Sequence, residues 1–492
     1  MKKRILDSVH GYIEIPTEYF EGIIDTEEFQ RLRRIEQTST RSIFPSARHD
    51  RFIHSLGVFY LGCKIIENLN SKKPPEGYSP NQDEVFESYL LACLLHDVGH
   101  SPFSHTFEDF YEHKDYKLRD ILCDVVGNED FRNDWDNSPD RSVAHERMSA
   151  IVAVGRYGTF ITTNKANKEL VARMIIGLYY SDTARHSFEN AMIDLIHGDV
   201  IDADGLDYVC RDSWASGYRT SNVDVKRLID SIWILKNPDE GNKFTLCFDS
   251  KCMNEIESVM RVKTFQQYYV ITHHTVTYEQ HLLVKAMESA ALHHIFDEHG
   301  VEDEKRRTEA LQKLCNVRCF YKKEGAPGIV TEKTQIGIRL PMDDDFVSLM
   351  KYIPNDKYVK QWFSRKYILS PLWKNKAQFY KTFPLLKNVT LKDSSWLFHN
   401  DCRQFISDRF DIPIEDVWIK EATPKYKNNI ASKVYLNVNE QPIKYEKLFP
   451  EDVQSYNPPQ NKFYYIYVPK DKDSGQILDA LSDEYKKYFF DR

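Results

Sequence analysis

Glycine is scarce in this chain, at 19 of 492 residues. Neither G-x-x-x-x-G-K-[ST] nor G-x-G-x-x-G occurs. The two commonest glycine loops that cradle phosphate with backbone N–H groups are therefore excluded. No apolar run approaches the ~18 residues of a membrane-spanning helix, and mean hydropathy is −0.54, so no membrane partner is expected. The start, MKKRILDSVHGYIEI, is basic but has no apolar stretch behind it; a secretory leader is not expected. An excess of positive charge is also missing. Lys and Arg total 66 against 74 Asp and Glu, a formal charge of −8. That balance argues against a surface built to grip nucleic acid, while leaving room for a local basic pocket that takes a small anion. Cysteine is present but not organised: nine residues lie scattered from Cys63 to Cys402. The loose pairs Cys247/Cys252 and Cys315/Cys319 lack the tight spacing of zinc knuckles. Buried free thiols in a reducing cytoplasm are the expectation. Internal repeats and low-complexity tracts are absent.

What is there is globular. Hydrophobic residues make up 41% and aromatics 13%, and the length suits about two to four domains. Residues 25–35 (DTEEFQRLRRI) place Phe29, Leu32 and Ile35 on one stripe, with Asp25 or Thr26 as N-cap. Residues 54–69 and 84–99 predict two further helices. The second is nearly all apolar over YLLACLL, hence buried, and is broken by Pro102. A loop marked by SKKPPEGYSPN lies between them, and residues 113–142 read as loops with short helices. Helical patterns recur at 145–154, 170–179 and 202–212, and over 255–295 as one or two long helices. Up to about residue 320 the pattern is overwhelmingly helical. Strand-like alternation is clearest late, in KVYLNV (433–438) and KFYYIYV (462–468). The expected fold is mainly α: a helical core over 1–380 and a smaller mixed α/β C-terminal region over 381–492.

Histidine is the distinctive component, with 17 residues, several of them between His96 and His145. His54 opens one predicted helix, His96 and Asp97 end another, and Asp204 lies in IDADGLDYVCRD. Two imidazoles and two carboxylates form a mixed N/O donor set suited to Fe, Mn, Ni, Co or Zn. Such an ion polarises a phosphoryl oxygen or lowers the pKa of water. A lone His-Asp pair is more often a hydrogen bond in a polar core, but these two emerge directly from an apolar helix. Left unpaired there they would cost roughly 2–7 kcal/mol each. His96 and His100, four apart, are expected to share a helical face. His105, Glu108 and His145 add titratable groups suited to proton transfer. Asp204, Tyr208 and Asp212 form one helical stripe facing a cleft. Asp207 and Arg211 form the neighbouring i, i+4 pair, read as a salt bridge.

DSVHGYIEI, DTEEFQRLRRIEQ, FPSARHDRFIHSLGV, LLHDVGHSPFSH, AHERMS and DADGLDYVCRD, in that order, resemble the HD-domain deoxynucleoside triphosphate triphosphohydrolases. That group includes bacterial dGTPases and the vertebrate sterile-alpha-motif HD-domain dNTPase. The similarity continues through LPMDDDFVSLM and covers roughly residues 1–375, with no sterile-alpha-motif segment expected before it. The resemblance implies a cytoplasmic, metal-dependent enzyme that converts a dNTP to deoxynucleoside and inorganic triphosphate. It implies a homo-oligomer (dimer, tetramer or hexamer), Mg accompanying the triphosphate, and a nucleotide activator; nucleic acid is not an expected partner.

By the same resemblance His54, His96, Asp97 and Asp204 match the metal ligands. His100, His105 and His145 match active-site histidines, with Glu108 as the partner of His105. Arg51 matches a phosphate-contacting arginine. Gln37 matches a residue beside the sugar 3′-hydroxyl, and Tyr208, Asp212 and Tyr278 match sugar-pocket positions. Asp25, Gln30 and Arg33, with Phe44 nearby, match a guanine-reading activator site; they equally suit an ordinary amphipathic helix surface. Three positions depart from the pattern. Thr38 replaces an apolar residue against the sugar, Gly205 replaces a phosphate-contacting lysine, and Val270 stands near the place of an expected arginine. These departures keep two alternatives open: an HD phosphohydrolase of another nucleotide (monophosphate, cyclic or modified), and a catalytically silent nucleotide-sensing or nucleic-acid-binding module.

Overall fold

The computed structural model describes residues 1–38, 42–72, 82–111, 117–198, 201–218, 223–296, 303–314, 329–330, 337–338, 341–353, 355–384, 400–422, 434–449 and 463–490. Most of the SKKPPEGYSPN loop, residues 112–116, residues 219–222, and Cys315 and Cys319 lie outside the described residues. The fold is mainly helical. It opens with an antiparallel hairpin, β1 (Lys2–Asp7) and β2 (Gly11–Pro16). The predicted helix at 25–35 follows as two pieces: an α-turn over Glu27–Gln30 and a tighter 3-10 segment over Arg31–Arg34. Thr26 caps it, accepting from the Phe29 N–H. The predicted stripe of Phe29, Leu32 and Ile35 is wholly buried.

Helices α1 (Arg51–Ser71) and α2 (Gln82–Leu95) pack together in the first core. Asp50 caps α1 by accepting from the Ile53 N–H at 3.0 Å, which places His54 in its first turn. Helices α3 (Ala144–Thr163), α4 (Lys168–Ile176), α5 (Thr183–Asp194) and α6 (Ala203–Ser216) complete this core. The 255–295 stretch resolves into two helices, α7 (Met253–Phe265) and α8 (His274–Phe296), joined by a wider π-type turn over Gln266–Ile271.

Among the described residues, two hairpins punctuate the mostly helical first 320 residues. One is β1–β2. The other is β3 (Ile232–Asn237) with β4 (Lys243–Asp249), in which Phe244, Leu246 and Phe248 alternate in register. Neither hairpin carries a long run of β-branched residues, so local propensity is weak; β3–β4 gains a further strand by tertiary pairing, whereas β1–β2 stands as a two-stranded sheet. The paired edge comes from far away: β4 pairs in parallel with Tyr435–Val438, which pairs in turn with Gln441–Lys444. A second core gathers α8, the helices Asp343–Lys351 and Lys357–Ser364, and a three-stranded antiparallel sheet. In that sheet Tyr464–Pro469 lies between Leu369–Pro371 and Trp418–Glu421. Both late strands read from the sequence are thus present, one in each core. The seven cysteines among the described residues are free. No described helix is long and apolar enough to cross a membrane.

Candidate metal centre and adjoining histidine cluster

Helix α2 ends at Leu95 rather than Gly99. The chain then turns, with the Val98 N–H bonded to the Leu95 carbonyl at 3.1 Å and the His100 N–H to the Asp97 carbonyl at 2.9 Å. The turn frees His96 and Asp97 from helical divergence and aims both at α1. It also overturns the expectation that His96 and His100 share a face. His96 joins His54 and Asp97, whereas His100 joins His105 and His145. The spacing of four carries no meaning once the helix has stopped.

The first cluster is compact. His54 Nε2 lies 3.3 Å from His96 Nε2, 3.6 Å from Asp97 Oδ2 and 3.0 Å from Asp204 Oδ1. His96 Nε2 lies 3.5 Å from Asp97 Oδ2 and 3.8 Å from Asp204 Oδ1. Adjacent ligands about an ion held at ~2.1 Å stand roughly 3.0 Å apart, so these separations suit a divalent ion. The opposite ring edges are anchored: His54 Nδ1 to Asp207 Oδ2 at 2.7 Å, and His96 Nδ1 to the Cys93 carbonyl at 3.0 Å. Anchoring Nδ1 leaves each Nε2 as the donor. The donor set therefore fits a divalent cation held by His54, His96, Asp97 and Asp204. Burial works against a proton on His54, but hydrogen bonds to Asp204 and Asp207 outweigh it and raise its pKa to about 10. Asp97 is held well below the usual carboxylate range despite its burial, chiefly by the Arg51 guanidinium. Both shifts mark a site rich in opposed charge, and an ion would compete with the His54 proton.

Arg51 links this cluster to the next. Its Nη1 donates to Asp97 Oδ2 at 2.6 Å, its Nε to Ser104 Oγ at 3.0 Å and its Nη2 to the Gln37 carbonyl at 3.4 Å. Beyond Ser104, Phe103 and Ser104 take left-handed φ values of 55° and 52°, a bend that Pro102 foreshadows. The bend carries His105 and Glu108 toward α3. Glu108 accepts from His145 Nδ1 at 2.8 Å and pairs with His105 Nδ1 at 3.1 Å. The His100 and His145 rings stack at 4.2 Å, and His105 stands edge-on to His145 at 5.1 Å. Burial and the nearby Arg51 charge push His100 well below its ordinary pKa. Its Nε2 is buried without a hydrogen-bond partner. Burial opposes protonation of His145 as well, but the hydrogen bond to Glu108 turns the net shift upward. The two imidazole partners hold Glu108 far below the usual range against its own desolvation.

The other predicted residues divide. Gln37 is buried, with its Oε1 unpartnered, and Thr38 lines a recess with His49, Asp212, Gln266 and Val270. Asp212 accepts from His49 Nε2 at 2.7 Å. Tyr208 lies under the Lys263 ammonium, which is 5.5 Å from its ring centroid. Tyr278 sits in the second core, its ring 4.8 Å from Tyr367 and its hydroxyl bonded to Gln361 at 2.8 Å. Asp25 lies at the surface, 3.9 Å from Lys3. Gln30 bonds the Ile24 carbonyl and accepts from Arg33 Nε at 2.9 Å. Phe44 packs on Tyr218.

Sequence reasoning missed the support behind His54. Asp207 bonds His54, His10 Nε2 at 2.6 Å and Arg211 through both oxygens, while Arg211 also grips Asp7 at 2.8 Å. The Asp207–Arg211 spacing showed the ion pair but not its attachment to a ligand on another helix.

A family model for the HD domain matches residues 51–136. YwfO of Bacillus subtilis, an uncharacterised protein, is 28% identical over 56% of this chain and 53% of its own length. The deoxynucleoside triphosphate triphosphohydrolase SAMHD1 homolog of Dictyostelium discoideum is 35% identical over 27% of each chain. The chain spans about half the length of the curated relatives it matches over the longest stretches. A solved structure, a phosphohydrolase from Bacteroides thetaiotaomicron, shares the fold with a TM-score of 0.60 at 19% identity. That match covers 95% of this chain and all of the other. Residues 51–136 of this protein match the HD domain, and within that stretch His54, His96 and Asp97 stand close enough together to hold a metal ion.

Proposed function

We propose that this protein is a metal-dependent phosphohydrolase that converts a dNTP to deoxynucleoside and inorganic triphosphate. The observation that carries the reading is the pairing of two clusters through one arginine. Arg51 bonds Asp97 of the divalent-ion donor set, and its charge acts on His100 in the histidine group that includes the Glu108-held His145. Support for a dNTP comes from the partial matches to proteins named as deoxynucleoside triphosphate triphosphohydrolases.

When bound, a divalent ion polarises a phosphoryl oxygen and lowers the pKa of water. The chain's own residues do the rest. Arg51 keeps Asp97 ionised and places positive charge between the two clusters. Glu108 fixes the rings of His105 and His145 through Nδ1, so their Nε2 atoms are left to pass a proton to the departing 5′-oxygen. The upward-shifted His145 holds that proton most readily. The neutral, stacked His100 adds no further charge beside it. Thr38, His49 and Asp212, which stand together at one recess, supply polar groups for the sugar hydroxyls.

Incubation with each dNTP and Mn²⁺, with and without a second nucleotide, followed by chromatography of the products, tests the reading. Inorganic triphosphate and deoxynucleoside are expected. Orthophosphate or a ring-opened product would overturn it in favour of an HD phosphohydrolase of another nucleotide.

A further inference from the structure

Gly205 follows Asp204 in the first turn of α6, and the space its missing side chain leaves is taken. A Cβ at this position would stand 2.6 Å from Lys263 Nζ and 2.7 Å from Asp202 Oδ1. Lys263 belongs to a different helix, α7. Its ammonium also lies over the ring of Tyr208, at 5.5 Å from the centroid. A positive charge from α7 thus stands against the first turn of α6, beside Gly205 and over Tyr208. A side chain at residue 205 would have to push aside the Lys263 ammonium, the end of a flexible stem, and the Asp202 carboxylate.

We propose that Lys263 is a substrate-binding residue that contacts a phosphate oxygen of the nucleotide's polyphosphate. The inference rests on the phosphohydrolase reading of this site and names the cation that holds the polyphosphate there. Arg51 has its guanidinium committed to Asp97, Ser104 and Gln37. Asp97, Asp204 and Asp212 give the cleft negative charge that repels a polyphosphate. Lys263 brings a mobile point charge with three N–H donors on a flexible stem. Three donors serve a phosphate oxygen as well as the neighbouring Asp202 carboxylate, which already caps α6 by accepting from the Gly205 N–H. The glycine at 205, a departure from the expected pattern, on this account leaves room for the Lys263 ammonium.

Lys263→Met keeps the stem and removes the charge. On the metal-loaded protein, calorimetry with inorganic triphosphate should show the dissociation constant rising about ten- to hundredfold. KM for the dNTP should rise in parallel with little change in kcat. Lys263→Arg should recover most of the affinity. Gly205→Ala, whose methyl must displace Nζ, should weaken triphosphate binding in the same direction. A lysine that merely braces Asp202 would lower the melting temperature and leave triphosphate affinity alone; that result overturns the proposal. So does a Lys263→Met protein that binds triphosphate within about twofold of wild type while the wild type hydrolyses dNTPs, which leaves the reaction standing. Wild-type protein that binds triphosphate but releases none from any dNTP overturns the reaction alone, and the Lys263→Met binding loss then still supports the contact. Wild-type protein that binds no triphosphate overturns both.

Discussion

His54 Nδ1 and Asp207 Oδ2 stand 2.7 Å apart, both side chains fully buried. Gly57, one turn beyond His54, makes this approach possible: a Cβ there would overlap Asp207 Oδ1 and crowd Arg211 Nη2. The bond turns the far edge of the His54 ring toward His96 and Asp204. A candidate ligand on α1 is thereby oriented by an acid on α6, and that acid is itself gripped by Arg211 and, through it, by Asp7 on β1.

Asp207→Asn should therefore lower divalent-metal affinity about ten- to a hundredfold, the usual cost of losing a carboxylate behind a ligating histidine. Competition against a graded chelator reads the change directly. An affinity equal to wild type would mean that Asp207 only braces Arg211.

Asp204 is the most exposed member of the donor set, with 41% of its side chain accessible. Asp204→Ala should leave the core intact, remove stoichiometric metal measured by elemental analysis, and cut turnover by at least about a hundredfold. Undiminished triphosphate release from this variant would sink the assignment of the site.

His145 has its pKa raised, because the Glu108 hydrogen bond outweighs desolvation. A proton donor works while it is protonated, so activity should persist below that pKa and fall as pH rises through it. Glu108→Gln removes the stabilising charge and should move the alkaline limb of kcat/KM down by about one pH unit. A limb that stays in place would assign the titration to another group.

Burial pushes Asp343 up to about 7, although its two oxygens accept the Phe103 N–H at 2.6 Å and the Glu36 N–H at 3.0 Å. The folded state holds the proton more tightly than the unfolded chain. Its stabilising contribution is full below the ordinary carboxylate range and is lost as pH rises through about 7. Asp343→Asn removes this titration and orphans one N–H, at a cost of about 1–3 kcal/mol. Denaturant titrations should show the stability gap between wild type and variant shrinking as pH rises from acid to neutral.

Residue type and short-range pattern carried the local structure. The buried stripe of Phe29, Leu32 and Ile35, the apolar Tyr89–Leu95 helix and the Asp204–Tyr208–Asp212 spacing are read from periodicity, because side-chain direction in a helix follows from sequence distance. That His54, His96, Asp97 and Asp204 are candidates for one ion was legible from residue type, because few side chains bind such ions; that His54, His96 and Asp97 cluster came from the fold. The β3–β4 hairpin was not legible, because its partner strand Tyr435–Val438 is nearly two hundred positions away and pairing supplies what local propensity lacks.

The sequence by itself determined which groups were available: two imidazoles and two carboxylates for an ion, three more histidines with an acid, and a glycine where a lysine was expected. Only the tertiary structure decided how they are used. It stopped α2 at Leu95, so that His96 and His100 went to different clusters. It set Asp207 behind His54, and it brought Lys263 from α7 into the space at Gly205. The physical reason is that orientation and electrostatics depend on distances of a few ångströms between separate helices, which only the packed core sets.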